Sequence, residues 1–152
     1  MTIDKDETLK EEYFKIQEHI EMYDEKALTI KAWSVTISIT GLGAGFYEDA
    51  PELFLVSSVS AILFWGIEVY WKFFQRAFYE RVQDIESYFA NGKKDIAILQ
   101  ISYSWNEAFG KMIKNSDSYR LLFYPHVMLP HSIVCAGGFL IYFFFGSNIA
   151  KI

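Results

Sequence analysis

Apolar and polar positions follow one rhythm through the first thirty residues of the chain and another after them. From Leu9 the apolar positions are Leu9, Tyr13, Ile16, Ile20, Tyr23, Ala27 and Ile30, in steps of four and three, with Glu and Lys between them. That is the 3.5-residue repeat of a helix packed in a bundle or coiled coil. Two readings follow for residues 9–30: an amphipathic helix that covers the protein's own core, or a cytoplasmic stalk that assembles subunits. Nothing between Glu11 and Thr40 breaks a helix, so this segment is expected to run on into the next.

From 32 to 47 no residue is charged. This run is short against the ~20 residues that cross a bilayer, and Leu28 to Ile30, with Lys31 snorkelling, would extend it. Its alternation of Ser34, Thr36, Ser38 and Thr40 has the period of a strand. A lone strand leaves its backbone unpaired in lipid, so a helix is expected, with 31–47 as a first span. An acidic turn with Pro51 ends it. The second span, 53–74, opens without a charge and then gains Glu68, Lys72, Arg76, Glu80 and Asp84, each four residues after the last. On a helix these form one slowly drifting polar stripe. The aromatic residues Tyr70, Trp71, Phe73 and Phe74 stand where the helix would leave the membrane, since such rings favour the interface. After a turn at Asn91 and Gly92, residues 95–114 read as another amphipathic helix, with Ile98, Ile101, Trp105, Phe109 and Met112 on one face. A third span is expected at 127–147, approached through a kink carrying two Pro-His pairs, Pro125-His126 and Pro130-His131.

The pattern therefore predicts an all-α integral membrane protein: three transmembrane helices plus amphipathic cytoplasmic helices, with 75–120 as a cytoplasmic helical region, all in one membrane domain. Composition agrees. Hydrophobic residues make up 52 % of the 152, yet the charges are segregated away from three apolar blocks. The net charge of −5 argues against a nucleic-acid-binding module. One cysteine, Cys135, excludes an internal disulfide and supplies no metal-ligand spacing. The start of the chain is acidic and polar and has no signal-peptide pattern. Lys and Arg precede the first span and fill 72–120, while the hairpin turn between spans one and two has none and the tail has only Lys151. The positive-inside rule then puts the N-terminus and 72–120 in the cytoplasm and the C-terminus outside.

Glu68 is the leading candidate for function, because a carboxylate in the hydrocarbon costs about 2.5–3.5 kcal/mol unless paired or hydrated. It pairs with Lys72 or a tyrosine, lines a water-filled path, or handles protons. One Glu68 per subunit around an axis would make a cation-selecting ring. Ser34, Ser38 and Thr40 would line such a path. Ser34 and Ser38 also share a face with Gly41 and Gly45, a GxxxG spacing that lets another helix come close. Lys72 and Arg76 would face the cytoplasmic mouth, where they could hold an anionic ligand. His126 and His131 are candidates for a pH-dependent gate, since imidazole titrates near neutrality; the plainer role is an interfacial histidine with one hydrogen bond. Five residues apart, they lack the one-face spacing and neighbouring ligands of a metal site. Arg120 and His126 fit the loose Arg–His spacing of HEPN-type ribonucleases, though Leu121 and Pro125 depart from that motif. No Ser–His–acid or Cys–His set is legible. Neither a cofactor nor catalytic residues are expected.

Two stretches, EHIEMYDEKALTIKAWSVTIS (18–38) and LFWGIEVYWKFFQRAFYERVQDIE (63–86), carry a resemblance of layout. An amphipathic helix leading into a two-span hairpin and a long cytoplasmic helix resembles the small bacterial membrane proteins of the SLATT or two-span effector type. The resemblance covers about residues 9–86, and the third span departs from it. It implies a homo-oligomeric ion channel or pore of the bacterial inner membrane, a membrane-permeabilising effector used in antiviral defence against phage. The alternative is a non-conducting anchor that docks a soluble partner on its cytoplasmic helices. The partners implied are lipid, other copies of the chain, and a soluble protein or small ligand.

Overall fold

The computed structural model describes residues 4–90 and 95–149, and the side chains of these except at 116–118 and 146–149. The expected turn at Asn91 and Gly92 lies outside them. The described residues form helices and no strand: α1 (Lys5–Tyr47), α2 (Glu52–Ala90), α3 (Ile101–Lys114), a 3₁₀ helix (Ser116–Phe123) and α4 (Pro125–Ile149). Helix α1 is continuous over 43 residues and α2 over 39, as their unbroken patterns predict. A tight turn joins them, in which Asp49 takes a φ of 50°, a left-handed conformation that Asp tolerates better than most residues. The chain divides into two compact units. One comprises Met1–Lys26 and Trp71–Ser118, the other Ala27–Tyr70 and Tyr119–Ile152.

The first unit has an ordinary core. Leu9, Ile16 and Ile20 of α1 bury against Val82, Ile85 and Tyr88 of α2, with Ile96, Ile98 and Ile101 packed on the edge. The rings of Phe74, Trp105 and Phe109 stack within 12° of parallel, and the Trp105 indole N–H donates to the Phe74 carbonyl oxygen at 3.0 Å. One expectation fails here: the helix predicted from residue 95 begins only at Ile101. Residues 95–100 are instead held in an irregular, bent conformation by a buried ion pair. Arg81 donates to both Glu12 carboxylate oxygens at 2.8 and 3.0 Å and to the Ala97 carbonyl at 2.7 Å. Glu12 in turn accepts the backbone N–H groups of Leu99 and Gln100 at 3.0 and 3.2 Å. Leu99 is thereby fixed at a φ of 58°, which helix geometry forbids. The backbone's bonds are spent on side chains, so the helical pattern of the segment is overridden.

The second unit is built the other way round. Its buried hydrophobic residues are Ala27, Phe54, Ala61, Val69, Leu121 and Val127, and it buries as many polar ones: Ser34, Ser38, Ser57, Ser58, Glu68 and His131. Many of its large apolar side chains point outward, among them Leu28, Trp33, Ile39, Val56, Leu63, Leu129, Ile133, Phe143 and Phe144. Close approach is made by glycine. A Cβ on Gly41 would lie 2.2 Å from the Ser57 Oγ, and one on Gly45 would lie 2.6 Å from the Phe54 ring. A Cβ on Gly138 would lie 2.2 Å from the Ser58 Oγ and 2.9 Å from the Phe54 carbonyl oxygen. Pro125 opens α4 at a position where its missing N–H costs nothing. The helix then runs through Pro130, where the sequence reading places a kinked approach.

Among the described residues, two helices, α2 and α4 (over Pro125–Phe145), are long and apolar enough to cross a membrane. Helix α1, expected to supply the first of three spans, is not among them. Its candidate stretch is diluted by Lys31, four hydroxyl residues and three glycines.

Candidate functional site

The seam between α1, α2 and α4 in the second unit holds the candidate site. On α1 the buried positions Ile20, Ala27 and Ser34 are seven apart, so Ser34 inherits the inward face of the N-terminal repeat. On α2, Glu68 faces the same seam, and on α4 so does His131. All three side chains are wholly buried. They form one line of hydrogen bonds. The Ser34 Oγ lies 2.8 Å from His131 Nδ1, and His131 Nε2 lies 2.9 Å from Glu68 Oε2. The other carboxylate oxygen, Oε1, has the Lys31 ammonium 2.6 Å away. That contact is an ion pair outside hydrogen-bond geometry, so Oε1 has its charge balanced without a directed donor. Lys31 itself is one-fifth exposed (21 %) and reaches the surface of the unit.

The protonation pattern follows from donor and acceptor counts. An ionised carboxylate has no hydrogen to give, so Nε2 carries the hydrogen of the His131–Glu68 bond. With a neutral ring, Nδ1 then accepts from the Ser34 hydroxyl. With the ring neutral, the cluster contains one cation, one anion and two neutral groups, hydrogen-bonded from Ser34 through His131 to Glu68 and ion-paired from Glu68 to Lys31.

Beyond Ser34 the seam continues as hydroxyls. The Ser38 Oγ donates to the Ser57 carbonyl oxygen at 3.4 Å, and the Ser58 Oγ to those of Phe54 and Cys135 at 3.0 and 3.1 Å. Gly41 and Gly45 lie on the same side of α1, against α2. Thr40 does not join them; it is exposed and donates back to the Thr36 carbonyl oxygen at 2.8 Å.

The partner expected for Glu68 is corrected. Lys72 binds Asp24 at 2.6 Å and Gln75 at 2.8 Å, both in the first unit, and Glu68 takes Lys31 and His131 instead. The drift of the charge stripe explains this: four residues advance a helix by about 400°, so each step turns the stripe about 40°. Glu68 faces inward, Lys72 is partly covered, and Arg76, Glu80 and Asp84 are exposed. The two histidines also separate. Five residues turn the helix by about 140° past a full turn, so His131 is buried with both ring nitrogens engaged while His126 is exposed beside Tyr124. Among the described residues, no three His, Cys, Asp or Glu side chains converge as a metal site would require.

Lys31 and His131 are the members that sequence reasoning misplaced. The sequence pattern makes Lys31 a snorkelling flank and His131 either an interfacial histidine with one hydrogen bond or a pH-dependent gate, whereas in the structure Lys31 faces Glu68 and both His131 ring nitrogens are engaged. The seven-residue spacing from Ala27 to Ser34 was the available signal for the inward face. No family model, curated protein or solved structure matches this chain.

Proposed function

We propose that the chain is a membrane protein through which ions cross the bilayer, and that the Lys31–Glu68–His131–Ser34 cluster carries this function. The observation behind the reading is the inverted second unit, with charged and hydroxyl side chains inside and large apolar ones outside. Lipid matches such an exterior, and water does not. Ionisable groups held inside a membrane-embedded seam mark ion and proton pathways. Stability alone gives a weaker reason for them, because well-packed apolar residues commonly replace a buried ion pair at no loss.

In this reading α1 joins α2 and α4 as a third, more polar span, shielded from lipid on its serine and glycine face. The Lys- and Arg-rich residues 72–120 are cytoplasmic. Gly43, Gly66 and Gly137 front open space, where a helix of another copy can approach closely, so a homo-oligomer is the natural assembly. The bacterial inner membrane and a defensive, membrane-permeabilising role come from the resemblance in layout to SLATT-type effectors and belong to the proposal.

The test is ion flux in proteoliposomes, followed with a voltage-sensitive dye, for wild type beside Glu68→Gln. The wild type is expected to collapse an imposed potential faster than empty vesicles, and the variant to change that rate. Full insertion with no flux would refute the reading.

A second reading has its own support: an anchor that docks a soluble partner. In the first unit a groove of about 530 Å³ lies between α1 and α2, lined by Phe14, Ile85, Phe89 and Ala90 with Lys10 and Glu86 at hand. An anchor would leave the potential intact in both proteins.

A further inference from the structure

Resting on the ion-permeation reading, we infer that the ion handled at this site is the proton, and that Ser34, His131 and Glu68 form its relay. Metal cations are bound by several oxygens that replace their hydration shell. The Lys31–Glu68–His131–Ser34 cluster offers one carboxylate, whose charge Lys31 already balances at 2.6 Å, and one hydroxyl, while the Ser38 and Ser58 hydroxyls further along the seam are turned to backbone oxygens. A cation placed there would face the ammonium across the same carboxylate. A proton needs no cage. It needs donors and acceptors in line, and here every link is 2.8–2.9 Å long with each member on a different helix.

The transfer balances as follows. A proton reaching the Ser34 Oγ releases the hydroxyl's own hydrogen to Nδ1: an O–H bond breaks, an N–H bond forms, and the ring becomes imidazolium. Nε2 then gives its hydrogen to Glu68 Oε2, which leaves a neutral ring and a carboxylic acid. The acid discharges toward water on the Lys31 side, the one partly exposed member of the cluster. The ring is left with its hydrogen on Nδ1; one water that takes this hydrogen and delivers one to Nε2 breaks one N–H bond, forms the other and restores the starting tautomer, and the Ser34 hydroxyl turns back toward Nδ1. One proton has moved and no other reactant is consumed.

The charged groups facing His131 are Glu68 from α2 and, behind it, Lys31 from α1. Helix α4 contributes none, since His126 points away. On α1 the next buried hydroxyl, Ser38, lies about 6 Å further along the axis, a step that one water bridges.

The experiment measures two ions on the full chain in liposomes. Proton entry is read with a trapped pH dye under a valinomycin-clamped potassium gradient, and cation entry with radiolabelled rubidium in separate vesicles without valinomycin. The expected result is proton flux without rubidium flux. His131→Gln is expected to lower proton flux by about 100-fold, the scale of a positioned proton-transfer group, and Ser34→Ala to lower it as well. Ser132→Ala removes an α4 hydroxyl beside His131 that donates to the Leu129 carbonyl oxygen, outside the seam, and should leave the flux intact. Rubidium entering as readily as protons would overturn the proton assignment and keep the ion-permeation reading. Proton flux unchanged in both His131→Gln and Ser34→Ala would overturn the relay. Neither ion crossing would overturn both the relay and the reading beneath it. The two-ion comparison on wild type decides the ion even where a variant fails to assemble.

Discussion

Replacing Glu12 by alanine removes one carboxylate that accepts four hydrogen bonds, and the consequence can be worked from the surrounding geometry. The Glu12 side chain is 1 % exposed and that of Arg81 is 5 % exposed. Breaking such a pair strands a buried guanidinium, a loss of about 3–5 kcal/mol. The Leu99 and Gln100 N–H groups lose their acceptor too. Each orphaned donor costs about 1–3 kcal/mol when water is excluded and less here, because Leu99 is exposed. The expected total is about 4–5 kcal/mol. The double change Glu12→Leu with Arg81→Met removes both charges. It leaves only the backbone groups of 97–100 to rehydrate, for about 1–3 kcal/mol. The double variant should therefore be more stable than Glu12→Ala alone. Denaturant unfolding in micelles, followed by Trp105 fluorescence, measures the totals. Hydrogen exchange at Leu99 and Gln100 shows whether 95–100 is the part released. A loss below about 1 kcal/mol in Glu12→Ala, or a double variant no better than the single one, would refute the account of this ion pair as the clamp on 95–100.

Two further outcomes are expected. Gly138→Ala drives a methyl against the Ser58 Oγ and the Phe54 backbone and should cost about 1–3 kcal/mol, while Gly110→Ala on α3, with nothing within 4 Å, should cost nothing. Thermal denaturation in detergent compares the two, and equal midpoints would remove the close-packing argument. At Asp95, the hydrogen bond and charge of Lys5 hold the carboxyl below the usual aspartate range. A depressed carboxyl contributes stability above its unfolded pKa and loses it as pH falls through the lower folded value. In Lys5→Met the Asp95 titration, followed by NMR, should return upward to the ordinary range, and a curve that stays in place would show that Lys5 is not the cause.

The helical class, the continuity of α1 and α2, and the turn between them were legible because they depend on local information. Periodicity, the absence of breakers and one Pro-bearing acidic turn act within a few residues. The expectation failed at 95–100, where an amphipathic pattern lost to hydrogen bonds from Glu12 and Arg81, more than eighty and about sixteen residues away along the chain. The sequence also marked Glu68, Ser34, Ser38 and His131 as residues to watch, each from a local oddity: a charge beside an apolar block, hydroxyls in a span, a Pro-His pair.

Amino-acid order alone therefore determined which segments are helices and which residues are unusual within them. It did not determine which of those residues meet. An i, i+4 stripe turns about 40° per step, so position along α2 leaves open whether a charge faces a neighbour or solvent. Ser34 and His131 are 97 residues apart, and Glu68 and His131 are 63 apart. Only the rotation at which α1, α2 and α4 dock, fixed by glycines at their closest contacts, aims those side chains at one another. Docking turned three separate polar residues into one hydrogen-bonded line and gave Glu68 the cation Lys31, because burial leaves a carboxylate stable only where the packed helices supply its partners.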